Sequence, residues 1–370
     1  MVFQRINQWC FGLNNILAAI ILGATLVAGT TAQGAFTYMA NTDSVSVTIT
    51  GYTDSVPDDL VIPPKINGLT VTAIGEGAFG EVNNLTNVTI PNTVTTIGEA
   101  AFNAAGLTSV TIPYGVTNIS DAAFEDCENM TNAIIPASVT TIGPGAFSDT
   151  ALTDVTIPNS VANLGDGALS SCHDLTNVSL GSGVTSIAHA TFVGDFMLQT
   201  IKIPAAVTNL GDIAFEDCSI LTDVFFLGNA PNVESTTFPN TAFYGFHDMQ
   251  ISNYYTATAY YLPGTTGWDQ FMTNTLMSAT GDSPTNEFVP AVLWNPTIQT
   301  TGTNFGVQNG QYGFNVTATT NLPIAIEACD DLTQSNWVVL QRLTLTNGLY
   351  HFSETFHTNA PTRFYRIGFP

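Results

Sequence analysis

Leu107-Thr-Ser-Val110-Thr-Ile112-Pro113-Tyr-Gly-Val116-Thr-Asn-Ile119-Ser-Asp-Ala-Ala-Phe124-Glu-Asp-Cys127 is one copy of a pattern that fills residues 71–227. Its leading residue recurs at Leu85, Leu107, Met130, Leu152, Leu175, Leu198 and Leu221, in steps of 22 or 23 residues. A fixed step of this size implies a solenoid, because each unit is too small to bury its own apolar face and must stack on its neighbours.

Within a copy, each position has a physical job. Leu85-x-x-Val88-x-Ile90 alternates apolar residues until Pro91, which reads as a short strand that proline stops. A second apolar pair, Val94 and Ile97, brackets Thr95 and Thr96. Gly98, Gly143, Gly165 and Gly211 share the next slot, where freedom at positive φ is expected to serve a turn. Ala101-Phe102 follows, a single helical turn at most, with the ring aimed at the axis. The ring slot holds Phe79, Phe102, Phe124, Phe147, Leu169, Phe192 and Phe215. At the ~4.8 Å spacing of neighbouring strands these side chains form a continuous spine, each contributing roughly 1.5–3 kcal/mol by burial.

The pattern L-T-x-V-x-I-P-x-x-V-T-x-I-G-x-x-A-F-x-x-C, carried over roughly residues 60–227, resembles the BspA-like leucine-rich repeat of surface and secreted proteins from bacteria and some protozoa. Gly181 in the Pro slot, Leu169 in the Phe slot, and Ser120 and Ala188 in the Gly slot depart from it. The resemblance implies an extracellular adhesion or recognition scaffold without catalysis, and it names no ligand. The expected fold is a repeat solenoid, mainly β with short helical turns, followed by an all-β sandwich-like module.

Five stretches are expected in the 370 residues, which exceed one ordinary globular unit. Residues 1–34 read as a signal peptide: Arg5, an apolar run over 16–29, and the small residues Ala32-Gln33-Gly34 before Ala35. The run is shorter than the ~20 residues of a spanning helix, and its partner would be the secretion machinery only. Residues 35–70 form an N-terminal cap, with Val45, Val47 and Ile49 alternating in a strand. The solenoid proper occupies 71–227. Residues 228–296 read as irregular terminal coils, with Phe238 next in the spine and Tyr260, Tyr261, Trp268 and Trp294 covering the last open edge. In residues 297–370, strand-like runs alternate with turns such as Asn347-Gly348, which suggests a small sandwich. Cys329, Trp337, Phe352 and Phe364-Tyr365-Arg366 make this part similar to the carboxy-terminal β-modules of other secreted bacterial repeat proteins.

With 29 Asp+Glu against 6 Lys+Arg, the net charge of -23 argues against nucleic acid or anionic membranes as partners. An acidic, lysine-poor surface rich in Thr, Asn and Ser suits a secreted protein. Cys127, Cys172 and Cys218 share one slot two coils apart, a separation of roughly 9–10 Å that exceeds the ~7 Å limit for a disulfide. They read as free thiols filling space beside the spine, and the same spacing disfavours zinc. Cys329 has no evident partner. Cys172-His173-Asp174 is a poor triad, because consecutive side chains diverge and the equivalent slots read Cys127-Glu128-Asn129 and Cys218-Ser219-Ile220. No Gly-rich phosphate loop, HExxH or GxSxG occurs, so no catalytic residue, cofactor or metal is assigned. Glu125, Asp126, Asp149, Asp174, Asp195, Glu216 and Asp217 fall near one edge and read as a solvated acidic rim, with weak calcium binding as the alternative.

The strand faces carry the candidate site. If Val88 and Ile90 point inward, alternation turns Asn87 and Thr89 outward. Down the stack the outward positions are Ser109 and Thr111, Asn132 and Ile134, Asp154 and Thr156, Asn177 and Ser179, Thr200 and Lys202, and Asp223 and Phe225. Such a row of hydroxyls and amides suits an extracellular protein or glycan held through many weak contacts. Exposed threonine also simply suits strands, and Ile134, Lys202 and Phe225 interrupt any regular ladder of the ice-binding kind. The alternative role is a structural cell-envelope component, with the repeats as spacer and the last module as anchor.

Overall fold

In the computed structural model each repeat closes one coil, and each coil hydrogen-bonds to the next on three sides. It describes residues 36–233, 257–269, 271, 291–302, 304–333, 336–355 and 363–370. The expected signal peptide at 1–34 and the expected spine residue Phe238 lie outside them.

The first side is a ladder of short parallel strands: Asn87–Thr89, Ser109–Thr111, Asn132–Ile134, Asp154–Thr156, Asn177–Ser179, Thr200–Ile203 and Asp223–Phe226. Pairing keeps each slot on its own kind, as in Ala133 on Val110, Val155 on Val178 and Ile201 on Val224. The second side is built from two-residue strands such as Thr96–Ile97, Asn118–Ile119 and Thr141–Ile142, again in parallel register. The third side is the tight turn around each Phe, where the Phe102 N–H donates to Ala123 O and the Phe124 N–H to Ala146 O. Threonines flanking the strands strengthen the stack. The Thr140 hydroxyl donates to Thr117 O at 3.1 Å and that of Thr176 to Thr153 O at 3.0 Å.

The spine forms. Phe79, Phe102, Phe124 and Phe147 stack with centroids 5.4, 5.4 and 5.5 Å apart and planes within 17° of parallel. Phe192 and Phe215 resume at 5.3 Å, after buried Leu169 interrupts the rings. Stacked rings add about 0.5–1.5 kcal/mol per pair beyond burial. Cys127, Cys172 and Cys218 are free and buried beside this column. Their sulfurs lie 3.2, 3.2 and 3.1 Å from the carbonyls of Phe102, Phe147 and Phe192.

The reason for glycine in the turn slot differs from the sequence reading. Gly98, Gly143, Gly165 and Gly211 are absent from the left-handed region. The preceding coil crowds them instead: a Cβ on Gly165 would meet Pro144 N at 2.4 Å, and one on Gly98 would meet Glu76 N at 2.7 Å. The left-handed residues come two and six positions later, as at Ala100 and Ala104, Gly145 and Asp149, or Ile213 and Asp217.

At the amino end, Phe36–Ala40 and Ser46–Tyr52 pair antiparallel, and the second of these adds in parallel to Leu69–Ile74. At the other end, Thr258–Tyr261 and Ala291–Leu293 extend the first ladder beyond Asp223–Phe226. The four aromatics expected to close this end split into two groups. Tyr261 stacks on Trp268 at 4.8 Å, and Trp268 meets Phe226 and Phe271 over the solenoid core. Tyr260 and Trp294 belong to a second core with Phe314, Val316, Ile324 and Phe352 of the carboxy-terminal strands.

Those strands make two antiparallel sheets. Gln311–Thr317 pairs with Thr297–Gln299, Gly306–Gln308 and Leu349–Thr355. Leu322–Cys329 lies between Val338–Leu345 and Phe364–Gly368. The Trp294 indole N–H donates to Pro323 O at 2.9 Å, which fixes this module to the last coil.

Candidate ligand-binding face

Alternation holds along the first ladder. Val88, Val110, Ala133, Val155, Val178 and Ile201 are buried, which turns their neighbours outward. Asn87, Thr89, Thr111, Asn132, Asp154, Thr156, Asn177, Ser179 and Lys202 are exposed, and Ser109 and Thr200 are half-buried. The eleven candidate residues therefore lie on one face, brought there by parallel register rather than by sequence proximity.

That face is open at one end only. Phe225 points outward on its strand yet is fully buried, stacked on Tyr260 at 5.0 Å and covered by Phe369 at 4.6 Å. Where the β-module overhangs the last coils, a cleft of about 1020 Å³ opens between them. Asn177, Ser179, Thr200 and Lys202 line its solenoid wall, and Pro323, Arg342, Leu343 and Thr344 line the opposite one. The Lys202 ammonium lies 3.5 Å from Phe369 O. Partial burial lowers its pKa, opposed by the field of Glu327 and reinforced by that of Arg342. Sequence reasoning had no route to Arg342 or Thr344: they lie far along the chain, and no local pattern marks them.

The other chemically suggestive residues do not converge. His173 is exposed and stacks on Phe196 at 4.8 Å, while Cys172 faces the core. Burial pushes the Cys127 thiol up to about 12, away from reactivity. Asp195 was expected on the acidic rim; it is instead fully buried, in the ring of slots that elsewhere holds Cys127, Thr150, Cys172 and Cys218. One of its oxygens accepts the Cys172 N–H at 2.9 Å and the other has no partner among the described residues. Desolvation raises its pKa well above the usual carboxylate range. On the rim proper, burial and then the charges of Asp126 and Asp149 raise Glu125. Among the described residues, no group of three or more His, Cys, Asp or Glu side chains is arranged to hold a metal.

The BspA-type leucine-rich repeat region matches the chain in six copies, over residues 64–175 and 140–252. Among solved structures, a leucine-rich repeat protein from Bacteroides ovatus is 23% identical with a TM-score of 0.48, over 63% of this chain and 71% of that one. The leucine-rich repeat protein of T. pallidum is 31% identical with a TM-score of 0.45, over 49% of this chain and 85% of that one. A leucine-rich cell surface protein from Faecalibacterium prausnitzii is 21% identical with a TM-score of 0.24, over 54% of this chain and 89% of that one. No curated protein matches the chain.

Proposed function

The chain belongs to the BspA-type leucine-rich repeat family, and on that premise we propose that it is a non-catalytic extracellular recognition scaffold. It is secreted or held at the cell surface, and it binds a protein or polysaccharide through the outward face of the first ladder. The observation that carries this reading is the face itself. From Asn87 to Lys202, parallel register lines up amide and hydroxyl side chains in rows one coil apart. Their main-chain groups are already engaged in the ladder, so the side chains are what a ligand meets. Many weak, regularly spaced hydrogen bonds suit an extended polymer, because binding at one coil raises the effective concentration for the next. The apolar run at 16–29 behind Arg5 supports export.

The purified chain is tested on glycan and matrix-protein arrays, beside variants carrying Thr89→Glu, Thr111→Glu or Thr156→Glu. Hits that disappear in the variants are the expected result. Hits indifferent to all three changes would remove the open stretch from Asn87 to Thr156 from recognition, and no hits would remove the whole face.

A further inference from the structure

We infer that the cleft between the solenoid face and the carboxy-terminal module binds a segment of acidic polysaccharide, with Lys202 and Arg342 holding its anionic groups. This rests on the recognition reading above and narrows it to one site and one chemical class. The charge distribution is the first argument. The chain has only 6 Lys+Arg against 29 Asp+Glu, so a cleft formed without regard to ligand would be lined with carboxylates. This one is lined by two cations, one from each wall, against a single side-chain carboxylate, Asp223.

Those cations lack a carboxylate partner among the described residues, the Lys202 ammonium meeting only the carbonyl of Phe369, whereas their neighbours are paired. Arg363 is paired with Asp330 and Glu354, and Arg366 with Glu327. Among the described residues neither Lys202 nor Arg342 enters an ion pair. Asp223, the carboxylate on the cleft wall, accepts the Thr222 hydroxyl at 2.9 Å. An anion entering the cleft therefore meets two positive groups against one side-chain carboxylate, Asp223, while Glu327 is already paired with Arg366. Arginine adds a planar fork that matches carboxylate or sulfate oxygens in pairs.

The rest of the lining favours a sugar polymer over an acidic peptide. A peptide binding as an added strand needs a free sheet edge, and here Thr200–Ile203 is paired with Asp223–Phe226 on one side and lies against Asn177–Ser179 of the preceding coil on the other. Asn177, Ser179 and Thr200 instead offer side chains that both donate and accept, the complement of sugar hydroxyls. Pro323 and Leu343 give the opposite wall apolar patches for the C–H faces of sugar rings. The volume of about 1020 Å³ matches the upper end of the roughly 300–1,000 Å³ of small-ligand sites, which is room for several sugar units.

The purified chain is titrated calorimetrically with polygalacturonate, dextran sulfate, neutral dextran and poly-glutamate, at low and high salt. Binding of an acidic polysaccharide, weakened by salt and absent for neutral dextran, is expected; the two acidic polymers separate carboxylate from sulfate. Lys202→Gln and Arg342→Gln should each weaken it on the order of tenfold, the loss of one charge-assisted hydrogen bond, and Lys202→Arg should restore it. Preference for poly-glutamate or neutral dextran, affinity unmoved by the Gln variants, or no polysaccharide binding overturns the cleft assignment. Thr89→Glu and Thr111→Glu lie on the open face outside the cleft. If array hits depend on them while the cleft variants are silent, the cleft inference fails and face-mediated recognition stands.

Discussion

Asp195 is the residue at which this repeat departs furthest from its own chemistry. Its slot demands something small that can sit against the spine, as Cys172 and Cys218 do on either side. A carboxyl fits by size but brings an oxygen with no partner among the described residues into a closed interior. The fold responds by favouring the protonated form: desolvation puts the folded-state pKa well above 3.8. The sign of the linkage follows. The folded chain holds this proton more tightly than the unfolded chain, so stability is undiminished below the ordinary carboxyl range and declines as pH rises towards the elevated folded value. Asp195→Asn keeps an acceptor for the Cys172 N–H and cannot ionise. At pH 8 it should stabilise the protein, because the folded chain no longer has to hold a proton against the solution or carry a buried charge. Melting curves for the two proteins should converge at pH 4, and a gap that persists or reverses there would show that ionisation is not the cause. Phe124→Ala at the middle of the column should cost about 3–5 kcal/mol in chemical denaturation. Phe124 stacks on rings above and below, whereas Phe79 has one described stacking partner. Phe79→Ala should therefore cost less by about one aromatic pair, roughly 0.5–1.5 kcal/mol.

The turn between the second strand and the ring slot shows what a repeat pattern reveals and what it hides. Recurrence in steps of 22 or 23 fixed the stack, and period-two alternation at Val88 and Ile90 fixed which side chains face in. Both depend on residues close in sequence, so both were legible. The reason for glycine at 165 was not. A recurring glycine is compatible with positive φ or with a crowded neighbour, and only the position of the adjacent coil decides between them. Gly165 is crowded by the Pro144 backbone, whereas Gly167, two residues on, holds φ +60 with space around its Cβ position except for Ser170. Paired substitutions separate the two causes. Asparagine tolerates the left-handed region, so Gly167→Asn should cost less than Gly167→Val, which should lose about 1–2 kcal/mol. At Gly165 no such rescue is available: Asn and Ala should both destabilise by about 1–3 kcal/mol, the range for overpacking. Equal rescue by Asn at both sites in urea denaturation would restore the conformational explanation for the slot.

Over the whole molecule, the decisive contacts join residues that the repeat pattern cannot relate. Phe225 reads as an apolar interruption of a polar row, and alternation gives its direction correctly. Its burial comes from Tyr260 and Phe369, and the same aromatic group continues through Trp294, whose ring centre is 4.2 Å from that of Phe369. The last coil and the β-module thus share an interior, and the cleft exists because the module is held over the solenoid face at this one place. Trp294 is the joint, since its ring fills the shared core and its N–H is bonded to Pro323 O. Trp294→Ala should cost about 3–5 kcal/mol, and the loss should appear where the two parts meet. Calorimetry is expected to resolve the module's unfolding at a lower temperature than that of the solenoid, and protease should cut first within residues 297–370. Trp294→Phe keeps most of the packing and loses the hydrogen bond, so it should fall between, nearer the parent by all but about 1–2 kcal/mol. Coincident unfolding of both parts in Trp294→Ala, with no new cleavage, would mean that the joint lies elsewhere. The module's position over Lys202 would then need another support.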